Sequence, residues 1–380
     1  GLVEVLIAHP HRAQHAARGR TLETVGDHGT AGFHVSHACS VSAVGGHMTG
    51  RPNLPATLMK MFSTFTFTSA DGTELLGWTN NGTGPDVVVC NGLGVPPQAW
   101  PRLLDPHCGY RVVGWNHRGG LGSGRPADPE RIRVEDHVAD ALALMAHTKV
   151  DRALLVAWSL GVNVSFEIAA EHPEKVAGML MCAGVPGGTY DAAFSMLMVP
   201  KPLRKTTGLM VSRAGQAIGR PLNLLARTVP KGNTFAEILR HSGFMLPSAQ
   251  TKDVVPWIQS FLEHDFEWYF RLMVAAADHD PMDPSFVQCP ITVVAGGFDV
   301  MTSMRDVVAF AQRIDHAEVH VLNATHFVPL EFPDEIMAML DGLLVRSDLT
   351  VPANLGERAA EEADVLQETL IDLRDGVHQA

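Results

Sequence analysis

The pattern of apolar and polar positions changes at about residue 62. From there, apolar runs typical of strands alternate with amphipathic stretches. FSTFTFTSADGTELLGWTN predicts two strands around an Asp-Gly turn. Later runs typical of buried strands are DVVVCNG, GYRVVGWNHRGG, ALLVAW, VAGMLMCAG, ITVVAGGFD and EVHVLNATH. Between them, apolar residues recur at helical spacing. This alternation predicts an α/β fold with a mostly parallel central sheet flanked by helices.

The same pattern divides the chain into five predicted segments. Residues 1–60 are biased toward His, Ala, Gly and Arg and lack periodicity, so we expect a disordered extension; its His9, His11 and His15 are too weakly spaced to predict a metal site. Residues 61–184 and 289–346 form the two parts of the core, and residues 185–288 form a helical cap. Residues 347–380 contain a linker and a narrow amphipathic helix, which docks either on the body or on a second subunit.

Composition narrows the class of protein. The 380 residues include 46% hydrophobic and 18% charged residues, and the formal net charge of -12 argues against general nucleic-acid binding. Five dispersed cysteines without a Cys-x-x-Cys pair indicate reduced thiols. No apolar run is long enough to span a bilayer, and the first residues lack the order of a signal peptide. We therefore expect a cytoplasmic protein.

Three residues with catalytic chemistry follow predicted strands. Ser159 follows ALLVAW, Asp299 follows ITVVAGGF and His326 follows EVHVLNAT. Because the carboxyl ends of parallel strands meet at one edge of a sheet, we expect them to lie close together. The order serine, aspartate, histidine is that of an α/β-hydrolase triad.

Ser159 stands in VAWSLGVN, where a nucleophile elbow needs small residues two places before and after the serine. Gly161 meets this need, and Ala157 adds one methyl group. The alternative for Ser159 is an ordinary helix N-cap. The joint pattern favours a nucleophile.

The other roles follow from the chemistry of acyl transfer. His326 would accept the serine proton, and Asp299 would hold the imidazole in the required tautomer. Asp299 could instead be a helix N-cap, and Asp278 and Asp280 are rival acids, although both precede the strand. The backbone N–H groups of Leu160 and Leu93 are the predicted oxyanion donors, unless the Asn-Gly-Leu-Gly stretch is a simple turn. That stretch lacks the third glycine of a dinucleotide site.

The region 62–346 resembles the α/β-hydrolase superfamily, in its lid-bearing branch with esterases, lipases and haloperoxidase-like enzymes. The resemblance rests on VVVCNGLG, VVGWNHRGGLGSGRP, VAWSLGVNVSFEIAAEHPEKV, ITVVAGGFD and NATHFVPLEFPDE. It implies a serine nucleophile, since epoxide hydrolases and haloalkane dehalogenases of the superfamily use aspartate there. The sequence departs from the family pattern at Asn91, at residues 116–123 and at Ala157.

The predicted cap contains a basic, apolar stretch. From Ala192 to Ala236 there is no acidic residue, while seven basic residues are interleaved with Met and Leu. The stretch is either a solvated amphipathic cap or a lid that accepts an acyl chain and favours an anionic membrane surface. The predicted substrate-binding residues are Asn91, Trp158, Met196 and Met198.

These patterns predict a serine hydrolase that needs no cofactor or metal. Its expected substrate is a small-molecule ester with an apolar acyl part. A homo-oligomer is one alternative for the state of the chain. Two other functions remain open. The acyl-enzyme could pass its acyl group to an alcohol or to peroxide, as in an acyltransferase or a haloperoxidase-like perhydrolase. Alternatively, the altered loops could mark an inactive binding protein on a hydrolase scaffold.

Overall fold

The computed structural model describes residues 62–193 and 199–351. Their strands are β1 (Ser63–Thr68), β2 (Glu74–Thr79), β3 (Asp86–Cys90), β4 (Arg111–Trp115), β5 (Ala153–Trp158), β6 (Val176–Cys182), β7 (Ile291–Gly296) and β8 (Glu318–Leu322). They form one sheet in the order β1-β2-β4-β3-β5-β6-β7-β8. Only β2 runs antiparallel to its neighbours β1 and β4, so the sheet is mostly parallel, as predicted.

Helices cover both faces of this sheet. Those connecting or following the strands are α1 (Val134–Thr148), α2 (Leu160–Glu171), α8 (Met304–Ala311), α9 (Val328–Glu331) and α10 (Pro333–Arg346). In β5, Leu154 and Val156 join a core cluster that includes α10, whereas Leu155 and Ala157 join a second cluster with α1, α2 and α8. The central strands are apolar throughout because both of their faces are buried.

Five further helices lie in the chain between β6 and β7. They are α3 (Lys201–Ala217), α4 (Gly219–Thr228), α5 (Asn233–Arg240), α6 (Thr251–Phe261) and α7 (Phe266–Ala276). They occupy the segment predicted as a cap, and we refer to residues 201–276 as the cap. The division of the chain into core and cap at residues 185 and 288 stays a prediction.

The predicted hairpin is present at the sheet edge. Ser63 pairs with Thr79 and Thr68 pairs with Glu74, and Gly72 turns the chain with φ of 84°. The predicted extension over residues 1–60, most of the C-terminal tail, and both Met196 and Met198 lie outside the described residues. Within residues 62–193 and 199–351, no helix is both long enough and apolar enough to cross a bilayer.

Candidate active site

The turn between β5 and α2 has the backbone geometry of a nucleophile elbow. Ser159 adopts φ of 54° and ψ of -117°, a conformation that non-glycine residues rarely occupy. Its N–H donates to the carbonyl of Cys182 at 2.9 Å, which fixes the turn to the end of β6. A Cβ on Gly161 would overlap the carbonyl oxygen of Cys90. The close passage of α2 across β3 therefore requires a glycine at 161.

The surroundings of Ser159 bear on its two interpretations. The serine precedes α2, but its side chain makes no capping hydrogen bond. The hydroxyl of this half-buried residue is thus not used to stabilise the helix. A strained backbone with an uncommitted hydroxyl is unexplained by an N-cap and is expected of a nucleophile.

Asp299 and His326 form a buried hydrogen-bonded pair. The Nδ1 atom of His326 lies 2.8 Å from Oδ2 of Asp299, and 3% of Asp299 is exposed. The other carboxylate oxygen accepts from the backbone N–H groups of Met301 and Thr302, at 2.7 and 2.8 Å. Because a carboxylate only accepts, Nδ1 carries the proton and Nε2 is left as the basic nitrogen.

The structure also separates Asp299 from its alternatives. Helix α8 is capped by Ser303, whose side chain accepts from Asp306, so Asp299 is not its N-cap. The rival acids Asp278 and Asp280 are exposed and lie after α7. The sequence argument for Asp299, its position after the strand, thus agrees with the observed pairing.

His326 is held against the residue that precedes Ser159. The indole N–H of Trp158 donates to the carbonyl of His326 at 2.8 Å, and the two ring centroids lie 5.7 Å apart. The neighbouring Thr325 donates through its backbone N–H and its hydroxyl to Glu331, each at 2.7 Å. These contacts fix the loop that carries His326 beside the elbow.

The predicted oxyanion loop lies against the serine. A Cβ built on Gly92 would be 3.4 Å from Cβ of Ser159 and 3.3 Å from the carbonyl oxygen of Trp158. The next residue, Leu93, is one of the two predicted donors. The other, Leu160, is the first residue of α2, where the backbone N–H has no partner within the helix.

Two side chains hold this loop in place. The amide oxygen of Asn91 accepts from the indole N–H of Trp100 at 2.6 Å, and its nitrogen donates to the carbonyl of Val95 at 3.3 Å. From the cap, Nε2 of His264 lies 2.7 Å from the carbonyl oxygen of Gly94. Burial lowers the pKa of His264, which favours the neutral ring; the carbonyl only accepts, so Nε2 carries the proton.

The predicted substrate-binding residues differ in their surroundings. Asn91 was expected to face a ligand, but it is 1% exposed and both ends of its amide have partners inside the protein, so it shapes the loop. Trp158 is also 1% exposed, and its N–H is committed to His326. A groove of about 660 Å³ elsewhere is lined by charged cap residues such as Arg220 and Glu267, and by none of the three catalytic candidates.

The loop over residues 116–123, which departs from the family pattern, is braced by internal hydrogen bonds. Ser123 donates to the carbonyl of Asn116 at 2.7 Å, and the Asn116 amide donates to the carbonyl of Leu121 at 2.8 Å. Arg118 is fully buried and binds both carboxylate oxygens of Asp140, at 2.6 and 2.8 Å. This departure therefore has a structural role that does not involve Ser159.

Sequence reasoning did not identify His264, Trp100 or Glu331. His264 is one of 19 histidines and carries no motif, and its contact with Gly94 spans 170 residues of chain. The one signal for Glu331 is its position five residues after His326, inside the segment NATHFVPLEFPDE. Among the described residues, no group of three His, Cys, Asp or Glu side chains is arranged to hold a metal ion.

Comparison with known proteins agrees with the fold. A family model described as the α/β hydrolase fold matches residues 85–212. A pimeloyl-[acyl-carrier protein] methyl ester esterase from Vibrio vulnificus is 26% identical over 196 residues, which are 50% of this chain and 72% of the relative. A 3-oxoadipate enol-lactonase from Acinetobacter baylyi is 23% identical over 270 residues, 69% of this chain and 89% of the relative.

A solved esterase from Rhodococcus has a similar fold. Its TM-score is 0.57 at 18% identity, over 74% of this chain and 98% of that structure. At this identity the likeness concerns the fold alone. Together, the strand order, the elbow, the family model and these relatives show that the chain has the α/β-hydrolase fold.

Proposed function

We propose that the protein is a serine hydrolase that cleaves carboxylic esters through an acyl-enzyme. The observation that carries the proposal is the strained turn at Ser159, whose hydroxyl does not cap α2. The preceding residue, Trp158, bonds the carbonyl of His326, and Nδ1 of His326 is bound to Asp299. The names of the relatives, a methyl ester esterase and an enol-lactonase, support an ester bond as the target.

The residues would act in sequence. Nε2 of His326 takes the proton of Ser159 as its oxygen attacks the ester carbonyl, and Asp299 stabilises the imidazolium. The N–H groups of Leu93 and Leu160 would stabilise the oxyanion. His326 then protonates the leaving alcohol, and a water molecule activated by the same nitrogen releases the acid and restores the serine.

An apolar acyl group is supported by the aromatic residues near His326. Phe327 contacts Trp158 and Trp257, with ring centroids 5.7 and 5.1 Å apart, and Phe244 of the cap region at 4.9 Å. Trp257 in turn stacks on Phe261 at 5.4 Å. This aromatic cluster joins the cap to the candidate triad, and Phe244, which is 41% exposed, is the member open to an entering substrate.

Labelling with a fluorophosphonate probe tests the nucleophile. We expect the wild-type protein to be labelled at Ser159, Ser159→Ala to be unlabelled, and His326→Ala to react at least ~10³-fold more slowly. Ser285→Ala, which changes an exposed serine, is the matched control and should react like the wild type. Full ester hydrolysis by Ser159→Ala would refute the proposal.

Analysis of the reaction products identifies the group that accepts the acyl chain from the acyl-enzyme. Hydrolysis predicts free acid as the product even with added alcohol or hydrogen peroxide, whereas an acyltransferase or perhydrolase would form a new ester or a peracid. A folded protein that takes up no probe would favour the inactive binding protein. Homo-oligomer formation and a cytoplasmic location stay predictions of the sequence. Contact with an anionic membrane also stays a prediction at this point.

A further inference from the structure

Helix α3 packs with its small residues inward and its large apolar residues outward. Gly208, Ser212 and Gly215 are buried, and the Ser212 hydroxyl bonds the hydroxyl of Tyr190. On the opposite side, Leu203 is 55% exposed and Met210 is 67% exposed. Packing in the monomer favours the reverse arrangement, in which large apolar residues are buried. The outer side of α3 therefore calls for an explanation beyond the fold.

Exposed apolar residues also occur in α4, which packs on the same helix α7 as α3. We define the outer cap face as the exposed apolar residues of both helices and of the residue between them, which are Leu203, Met210, Val211, Ile218, Leu224 and Leu225. Steps of seven and eight residues place the α3 members on one side of that helix. Single exposed apolar residues are ordinary, but six of them within 23 residues of two neighbouring helices indicate an interaction surface.

Exposed basic residues flank this face. Arg213, Arg220 and Arg227 follow one another at intervals of seven and are all exposed. Arg220 pairs with Glu267 at 3.0 Å but keeps 85% of its side chain exposed. In residues 62–193 and 199–351, no carboxylate lies within salt-bridge distance of Arg213 or Arg227. With no acidic residue from 192 to 236, the face is cationic in a chain of net charge -12.

We propose that the outer cap face docks on the surface of an anionic lipid bilayer. Leucine and methionine side chains at the centre of an exposed helical side can enter the boundary between headgroups and acyl chains. The flanking guanidinium groups can bind lipid phosphates. A docking surface of this kind does not depend on whether Ser159 is active.

A second copy of the chain fits this face less well. Two-fold pairing brings the same surface of both subunits together, so Arg213 and Arg227 would meet other arginines without a carboxylate from the segment to neutralise them. An acidic protein would satisfy the arginines. It would not, however, need a central row of exposed aliphatic side chains as long as this one.

Co-sedimentation of the full chain with vesicles tests the proposal. We expect binding to vesicles of phosphatidylcholine and phosphatidylglycerol, weaker binding to pure phosphatidylcholine, and weakening by salt. Arg227→Gln should reduce the binding constant about fivefold. Leu224→Ser should reduce it about tenfold. Both positions are exposed, so the melting temperature should change little.

Matched controls lie outside the face. Val345→Ser removes an apolar side chain that is 55% exposed on α10, and Lys252→Gln removes an exposed charge on α6. Both should bind vesicles like the wild type. Equal binding to neutral and anionic vesicles, or no binding to either, would overturn the proposal. So would loss of binding on Arg227→Gln without loss on Leu224→Ser, which would indicate an acidic macromolecule. Self-association lost in Leu224→Ser would indicate a second copy instead.

Discussion

His264 Nε2 lies 2.7 Å from the carbonyl oxygen of Gly94, so a cap residue holds the loop that carries the predicted oxyanion donor Leu93. The contact is close, because a Cβ on Gly94 would lie 3.0 Å from the same nitrogen. Gly94 is buried and has φ of 68°, so its carbonyl has little access to water. His264 is therefore a positioning residue, which acts through the loop without contacting the reacting atoms.

We predict that His264→Ala lowers kcat by about tenfold with a smaller change in KM, because the oxyanion donor shifts whereas only Phe261 of the aromatic cluster loses a ring contact. The free energy of unfolding should fall by about 1–3 kcal/mol, since a buried carbonyl loses its donor. The measurement is ester hydrolysis per serine labelled by fluorophosphonate, which corrects for inactive protein.

His264→Gln should recover part of kcat because its amide can donate to Gly94. His241→Ala is the control, as His241 is an exposed cap histidine. A purely structural role would lower the number of labelled serines and leave kcat per labelled serine unchanged.

The buried network around Arg118 predicts a stability that depends on pH. Burial raises the pKa of Asp71, but hydrogen bonds from Thr73 and Arg118 outweigh it and bring the pKa to about 2. Burial also raises the pKa of Asp140, but the nearby ring of His137 and the hydrogen bonds from Arg118 outweigh it, so the pKa is lowered. A carboxyl whose pKa is lowered on folding stabilises the protein above its unfolded pKa, and this stabilisation is lost as the pH falls through the folded pKa.

Arg118→Met should therefore destabilise the protein by about 3–5 kcal/mol at pH 7, because it leaves Asp140 charged and unpaired in the core. The deficit should shrink as the pH falls from about 4 toward 2, where the carboxyl groups become protonated. Urea unfolding at several pH values measures both. Arg102→Met, which breaks an exposed ion pair with Asp334, should cost less than about 1 kcal/mol. A deficit that is the same at every pH would contradict this account.

Gly161→Ala tests the steric requirement of the elbow. The added methyl group overlaps the carbonyl oxygen of Cys90, so α2 must move away from β3. We expect a loss of several kcal/mol in stability, on the order of the cost of overpacking a core, and loss of fluorophosphonate labelling at Ser159. The measurements are thermal unfolding and labelling rate.

The matched control is Gly342→Ala on α10, where a Cβ meets no atom within 4 Å. It should raise stability by up to about 1 kcal/mol, because alanine is the better helix former. Similar losses for both variants would show that the Cys90 contact is not the cause.

Local patterns were enough to predict the architecture, and they also nominate the three catalytic candidates, whose roles stay predictions. Continuous apolar runs specify buried strands, and loops at strand ends bring Asp299 and His326 together even though 27 residues separate them. The choice of Asp299 over Asp278 needed only the position of each residue relative to β7. The sequence alone could not weigh the helix N-cap interpretation of Ser159, because that comparison depends on the observed φ and on the absence of a capping hydrogen bond.

Long-range polar contacts could not be predicted. The partners of Arg118 and His264 lie up to 170 residues away, and each pairing depends on how loops and cap close over the sheet. The hydrogen bond of Asn91 is a further long-range contact that the sequence did not predict. Its position in a glycine loop indicated a ligand contact, but its amide oxygen accepts from the indole N–H of Trp100.

The two sides of the elbow have unequal freedom to vary. Ala157 already places a methyl group in the sheet between Cys90 and Met181, whereas the site of Gly161 is closed by a backbone oxygen that no rotamer change can move. A random library over this turn should thus keep small replacements at 157 and return only glycine at 161. Searches that demand both glycines will overlook enzymes of this kind, while searches anchored on the serine and the second glycine will retain them.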